Sequence, residues 1–230
     1  MTLSVEQSLD KNTHIPPLEN GDRLTRQEFE RRYTAMPHVK KAELIEGIVY
    51  MASPVRSKAH GKPHGRLMTW LGVYEAATLG VDLNDNATVR LDADNEPQPD
   101  ASLRIESNGT SCISIDDYIE GAPELVAEIA GSSAANDLYD KKKVYRRNGV
   151  KEYIVWQTLD NKLDWFNLQN GEYISLEADA NGIIKSQVYP GLWLDVTALL
   201  KSDMAKVLDV LQQGLNSSEH ATFVQKLAQP

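Results

Sequence analysis

The sequence predicts an α/β fold in which helices flank a mixed β-sheet. The short apolar run from Leu125 to Ala130 has the composition of a central strand that is buried on both faces. A helical pattern follows over 137–148, and a second apolar run from Glu152 to Gln157 comes after it. A strand, a helix and a strand in this order indicate a right-handed crossover between two parallel strands of one sheet.

Other elements surround this unit. A capping signal predicts a helix at 25–33, and a turn predicts a hairpin at 43–51. Helical spacing predicts a second helix at 63–78, and alternation predicts strands at 81–91 and 98–105. After the unit, we expect edge strands at 163–168 and 173–176 and short helices at 196–200 and 204–215. A polar tail follows them. The predicted organisation is therefore a flexible arm over 1–21, a single domain over 22–200, and a C-terminal helix and tail over 201–230.

Composition limits the classes of function. The chain has 24 basic and 33 acidic residues, and its net charge of −9 argues against tight general binding to nucleic acid, although a local basic face remains compatible with it. Cys112 is the lone cysteine, which excludes an intrachain disulfide and a cysteine-built zinc site. No apolar run reaches the roughly 18 residues of a membrane helix, and the N-terminus lacks the apolar core of a secretory signal. We expect a cytoplasmic protein with no membrane partner.

Two acidic residues occur at the ends of predicted strands. Asp100 follows a proline at the start of one strand, and Glu128 lies near the end of the next. If these strands are neighbours, the two carboxylates converge and repel each other unless they share a cation or a proton. Mg²⁺ or Mn²⁺ is the usual partner of such oxygen ligands. The alternative is that Asp100 caps a turn and Glu128 pairs with a lysine or an arginine.

Lys141 is a basic candidate for the same place. It lies four residues after Asp137 and four before Tyr145, so all three share one face of the predicted helix. A lysine on that face could orient a water molecule or neutralise charge that develops on a phosphate. The alternative is that Lys141 belongs to a solvated run of cations with Lys142 and Lys143.

The predicted hairpin and the helix after it hold weaker candidates. Glu43 and Glu46 face opposite sides of the hairpin, so only one of them can point into a site; ordinary surface carboxylates are the alternative. His60 and His64 are four residues apart, a spacing that metal-binding histidines use. Because no Glu-x-x-His arrangement accompanies them, we predict that both are surface or capping residues.

Several short motifs occur in an order that resembles a known family. They are Glu43-Leu44-Ile45-Glu46-Gly47, Pro99-Asp100, Leu125-Val126-Ala127-Glu128-Ile129, Asp137 with Lys141 and Tyr145, and Gly149-Val150-Lys151-Glu152-Tyr153. Together they are similar to the bacterial Uma family of restriction endonucleases, a former domain of unknown function. That family resembles a branch of the PD-(D/E)XK restriction-endonuclease-like superfamily. The resemblance covers about residues 22–200.

The resemblance implies a restriction-endonuclease-like mixed sheet and a Mg²⁺-dependent endonuclease that uses a metal-activated water. It makes Asp100 and Glu128 the ligands of Mg²⁺ or Mn²⁺, with the Ile129 carbonyl as a third oxygen. Glu43 matches the family's upstream acidic position, which implies a catalytic role in completing the metal shell, and Lys141 stands where the family carries a lysine. DNA is the implied substrate, and a homodimer is compatible with such an enzyme.

One position departs from the superfamily pattern. The usual lysine follows the second acid by two residues, and that position is Ala130 here. The resemblance therefore implies that Lys141, on the next helix, takes over the role. Two other functions stay open at this point: a non-catalytic binding or regulatory module that retains the nuclease fold, and a phosphoesterase that acts on a smaller substrate.

Overall fold

A computed structural model describes residues 15–51, 54, 56–131 and 137–229. Most of the arm predicted over 1–21 lies outside the described residues. Its last part packs on the domain, because Leu18 is buried in a small apolar cluster with Phe29, Leu44 and Val49. The Gly21 amide also donates to the Val49 carbonyl at 2.8 Å.

The predicted helices and strands occur in the predicted order, but the strand predicted over 81–91 divides into two strands of different sheets. Four short strands were not predicted: Ser111–Ile113, Ile119–Gly121, Ile183–Lys185 and Trp193–Asp195. Helices occur at α1 (Arg26–Thr34), α2 (Lys62–Ala76), α3 (Lys142–Asn148), α4 (Val196–Leu200), α5 (Met204–Leu215) and α6 (Ser218–Leu227). One π-helical turn precedes α2 and one precedes α3, at Ser57–Gly61 and Asp137–Lys141. Strands occur at β1 (Ala42–Ile45), β2 (Ile48–Met51), β3 (Val81–Asp85), β4 (Val89–Arg90), β5 (Ala101–Ile105), β6 (Ser111–Ile113), β7 (Ile119–Gly121), β8 (Leu125–Ala130), β9 (Glu152–Gln157), β10 (Lys162–Gln169), β11 (Glu172–Ser175), β12 (Ile183–Lys185) and β13 (Trp193–Asp195).

The main sheet has six strands in the order β11-β10-β9-β8-β5-β3. Strands β8 and β9 are parallel and are joined through α3, whereas every other neighbouring pair in this sheet is antiparallel. The smaller sheets are β1–β2, β12–β13 and β4–β7–β6. The predicted mixed sheet with flanking helices is therefore confirmed.

Alternation along β8 divides the core between the two faces of the sheet. Ala127 and Ile129 pack in the large apolar cluster that includes α2 and α5. Val126 packs on the opposite face in a second cluster with Tyr145 of α3. Because side chains alternate along a strand, Glu128 shares the α3 face with Val126. Burial of the larger side chains, Val126 and Ile129, stabilises β8 by roughly 1.5–3 kcal/mol each.

The C-terminal part differs from the prediction of a polar tail. Residues after 217 form α6, whose first turn is capped by the Ser217 side chain. His220 is buried, and the Phe223 ring packs edge-on against Tyr189 at 6.3 Å. The largely polar composition of this segment concealed a helix with one apolar face. No helix among the described residues is both long and apolar enough to span a membrane.

Candidate active site

The pairing of β5 with β8 brings the two acidic residues together. These strands are antiparallel neighbours, and Ala101 lies opposite Ala127. One step further in the same register, Asp100 comes opposite Glu128, and residues in opposite positions direct their side chains to the same face. Each of the two residues is only 3% exposed. The two carboxylates therefore share one buried location.

Asp100 is held in its ionised form by its surroundings. Its Oδ2 atom accepts a hydrogen bond from the Ile129 amide at 2.7 Å, and the His60 Nε2 atom lies 3.1 Å from both carboxylate oxygens. The Lys41 ammonium is 3.7 Å from Oδ1. Burial by itself raises the pKa of Asp100, but the His60 hydrogen bond and the Lys41 charge outweigh it and lower the pKa to about 2.

Glu128 has the opposite tendency. Its Oε1 atom accepts hydrogen bonds from the Lys141 ammonium and the Tyr145 hydroxyl, each at 2.9 Å. Burial raises the pKa of Glu128 to about 8; the charge of Lys141 opposes this, and three neighbouring carboxylates add to it. The site thus pairs one carboxyl whose pKa is lowered with one whose pKa is raised.

Lys141 lies at the centre of the cluster. Its Nζ atom is 2.8 Å from Glu43 Oε1, 2.9 Å from Glu128 Oε1 and 3.8 Å from Asp137 Oδ1. Although burial alone lowers the pKa of this ammonium, the surrounding carboxylates raise it well above its usual value. Lys141 is therefore a buried cation in the acidic cluster.

The neighbouring lysines point elsewhere. The Lys142 ammonium lies 3.4 Å from the centre of the Phe166 ring, and Lys143 pairs at the surface with Glu46. Gly149 ends α3 with a φ of +85°, a left-handed conformation that glycine adopts without strain. The helix therefore directs one lysine of the run into the site and leaves the other two outside it.

The β1–β2 hairpin contributes one carboxylate to the cluster. Glu43 is buried. Its Oε1 atom accepts a hydrogen bond from the Gln98 backbone amide at 2.8 Å and another from the Lys141 ammonium. Glu46 instead pairs with Lys143 and Arg147 on the outside. Their opposite directions agree with the alternation expected along a strand.

The prediction that His60 and His64 are surface or capping residues is wrong. His60 is half-buried against the Asp100 carboxylate, and the His64 Nε2 atom lies 3.1 Å from the Asp100 backbone oxygen. The N-terminal side chains of α2 make no capping hydrogen bond. The cause is tertiary: the first turns of this helix lie across the start of β5, a placement that spacing within the helix does not reveal.

Lys41 was not identified from the sequence. It lies two residues before Glu43, so both side chains extend to the same side of the chain, and this spacing was the available signal. Its ammonium approaches Asp100, whereas Glu43 reaches Lys141. The segment before the hairpin turn therefore serves both halves of the cluster.

The donor set can be compared with the needs of a metal ion. Within the described residues, no group of three or more His, Cys, Asp or Glu side chains is arranged to hold a metal. Carboxylate oxygens of Asp100 and Glu128, with the Ile129 carbonyl, are nevertheless the hard ligands that Mg²⁺ and Mn²⁺ prefer. Three buried carboxylates, those of Glu43, Glu128 and Asp137, lie within 4 Å of the single Lys141 ammonium. This excess of negative charge fits a divalent cation.

The comparisons with known proteins agree with this architecture. Residues 26–197 match the model of the Uma2 family, described as "Putative restriction endonuclease". Since the match covers most of the chain, the protein belongs to the Uma2 family. A crystal structure from Anabaena variabilis ATCC 29413, described as a "putative nuclease belonging to DUF820", superposes with a TM-score of 0.58. The identity is 14%, and the alignment covers 74% of this chain and 96% of that chain, so the likeness shows the fold. No curated protein matches the chain.

Proposed function

We propose that this protein is a metal-dependent endonuclease that hydrolyses phosphodiester bonds in DNA. The observation that carries the proposal is the convergence of Asp100, Glu128 and Lys141 in one buried cluster from two neighbouring strands and the next helix. Membership of the Uma2 family supports the same class of reaction. The proposed catalytic set is Asp100, Glu128, Lys141 and Glu43.

The two acids and one carbonyl have the first role. Asp100, Glu128 and the Ile129 carbonyl would hold Mg²⁺ or Mn²⁺. When bound, such an ion supplies an activated water and stabilises the charge that develops on the phosphate. Asp100 is suited to this role because His60 and Lys41 keep it ionised, and the Ile129 amide fixes the direction of its carboxylate.

Lys141 has the second role. Its ammonium can orient a water or approach the negative charge on a phosphate, since it already lies within hydrogen-bonding distance of Glu128. Ala130, at the position where the superfamily has lysine, is fully buried in the apolar cluster with Tyr145 and offers no cation. Tyr145 holds Glu128 in place through its hydroxyl.

Cleavage of supercoiled plasmid DNA tests the proposal. We expect cleavage with Mg²⁺ or Mn²⁺ and none with EDTA. Asp100→Asn and Glu128→Gln should each lower the rate by about 10²-fold or more, the size of effect found when a charge-stabilising group is removed. Asp94→Asn, at an exposed carboxylate, is the matched control and should cleave normally. Circular dichroism must show that all variants fold. Full cleavage by both site variants would refute the proposal.

One observation favours a second candidate, a binding module without catalysis. The Lys141 ammonium forms ion pairs with both Glu43 and Glu128, so it offsets part of the negative charge that would attract a metal ion. Calorimetric titration with Mn²⁺ separates the two candidates. Saturable binding that Asp100→Asn abolishes supports the enzyme, whereas no binding at millimolar Mn²⁺ supports the module.

A further inference from the structure

An unusual segment lies next to the carboxylate cluster. Although the whole chain has a net charge of −9, no acidic residue occurs between Glu46 and Glu75. This stretch carries four permanent cations, Arg56, Lys58, Lys62 and Arg66. We call residues 56–66, which contain them, the basic segment. An acidic protein therefore presents one local region of uncompensated positive charge.

The cations of the basic segment find no counter-charge among the described residues. In the part of the chain that the structure describes, none of the four forms an ion pair with a carboxylate. Arg56, Lys58 and Lys62 are exposed, and Arg66 is half-buried. Several other cations of this protein are paired; Arg90, for example, contacts Glu30 and Asp116. The basic segment is thus open to an external anion.

Spacing places three of these cations on one face. Lys58, Lys62 and Arg66 are each four residues apart and form a single row. His60 and His64 form a second row that contacts Asp100. With about 100° of rotation per residue in α2, Lys62 and Arg66 lie on a different side of the helix from His64.

In the part of the chain that the structure describes, the strip between the two rows is exposed. It carries only small side chains, at Ser57, Gly61 and Gly65. A Cβ atom added at Gly61 or Gly65 would meet no atom within 4 Å. A chain-like ligand could therefore lie along the strip, with the row of cations on one side and the Asp100 carboxylate on the other.

The cations of the basic segment lie at the N-terminal end of the helix, where positive charge is unusual. Helices normally carry Asp or Glu in the first turn, because the free backbone amides make that end positive. The first turns here contain no acidic residue and include Lys58 and His60. Cations at a helix N-terminus repel the helix dipole, and a bound anion would reverse that repulsion.

We propose that the basic segment binds the phosphodiester backbone of DNA and directs it along α2 to the Asp100–Glu128 cluster. The role as a substrate surface rests on the proposed function, but binding itself can be measured without cleavage. Contacts of lysine and arginine with phosphates position DNA without reading bases, so the affinity should be independent of sequence and strongly dependent on salt.

Fluorescence anisotropy in EDTA tests this inference with two probes, a labelled 20-base-pair duplex and its single strand. Lys58→Gln/Lys62→Gln is compared with Lys201→Gln/Lys226→Gln, which removes the same charge from exposed, unpaired lysines near the C-terminal helices. We expect the first variant to bind about 10-fold or more weakly. Its plot of log affinity against log salt should be less steep by about 1.8 for the duplex and about 1.4 for the single strand, if each lysine contacts one phosphate. The control should bind as the wild type does.

The outcomes separate this inference from the proposed function. Wild-type affinity and salt dependence in Lys58→Gln/Lys62→Gln overturn the inference, even if the protein cleaves DNA, and so does equal weakening by the control variant. Weaker binding by the first variant alone supports the inference, even if no cleavage is found. An effect confined to one probe identifies whether the surface takes double- or single-stranded DNA.

Discussion

Lys141 is buried with three carboxylates at 2.8 to 3.8 Å from its ammonium. At the scale of single residues, this arrangement decides the charge balance of the cluster. Water is largely excluded, so neither the ammonium nor the carboxylates can be stabilised by solvent if one partner is lost. The environment of the lysine is therefore part of the stability of the protein as well as of its proposed chemistry.

We expect Lys141→Met to lower the free energy of unfolding by about 3–5 kcal/mol at pH 7, because it leaves buried carboxylates without their cation. Urea unfolding followed by circular dichroism measures the loss. Lys143→Met is the matched control: its exposed pair with Glu46 should contribute less than about 1 kcal/mol. Equal losses in the two variants would contradict the burial and pairing of Lys141.

At the scale of elements, α1 is joined to the chain around β4 by a group of charged side chains. Arg90 of β4 contacts Glu30 of α1 at 2.9 Å, and Glu96 lies beside them, 3% exposed. Burial raises the pKa of Glu96 to about 8; the neighbouring Glu30 adds to this, and the charges of Arg90 and Arg26 oppose it. The contact between these elements therefore depends on a proton.

This arrangement predicts a pH-dependent stability. Because the folded-state pKa of Glu96 is raised, its contribution is fully present below pH 4.5 and is lost as the pH rises through about 8. We expect Glu96→Gln to match the wild type near pH 4 and to be more stable by about 2–4 kcal/mol at pH 9. Urea unfolding across this pH range measures the difference, and the exposed Glu106→Gln serves as the control. A constant difference between pH 4 and 9 would contradict the prediction.

At the scale of the whole molecule, the C-terminal helices complete the main core. Val207 and Leu211 of α5 are buried in the same cluster as α2. The His220 Nε2 atom lies 2.9 Å from the Thr78 hydroxyl, so α6 is tied to the loop after α2. The segment after 200 is therefore part of the structural unit that supports the site.

We expect removal of residues 217–230 to lower the free energy of unfolding by about 2–4 kcal/mol, from lost apolar burial of Phe223 and lost hydrogen bonds of His220. Thermal and urea unfolding measure the change. Removal of residues 229–230 alone is the control and should have little effect. Unchanged stability in the longer deletion would show that α6 does not support the core.

Much of the fold was accessible from the sequence because its signals are local. The apolar run of β8, the helical pattern after residue 137 and Gly149 at the end of α3 each depend on neighbours in the chain. The β-branched and apolar residues of β8 and β9 suit a strand buried on two faces. Helix α6 was missed because its apolar face is narrow and its composition is mostly polar.

The candidate site was accessible only in part. The sequence pattern singled out Asp100 and Glu128 because they are acids on buried strands. It singled out Lys141 because a spacing of four places it on one helix face with Asp137 and Tyr145. His60 was misjudged because its partner is 40 residues away, and no pattern within α2 encodes that distance.

The sequence by itself determined the order of α2, β3, β5, β8, α3 and β9, the presence of two acids on buried strands, and the helix face shared by Lys141 and Tyr145. Local periodicity and propensity suffice for those features. Only the tertiary structure decided that Asp100 lies beside Glu128, that Lys41 and His60 reach Asp100, and that an unpaired row of cations lies alongside. These features depend on strand register and on the packing of segments distant in the chain, which no local pattern specifies.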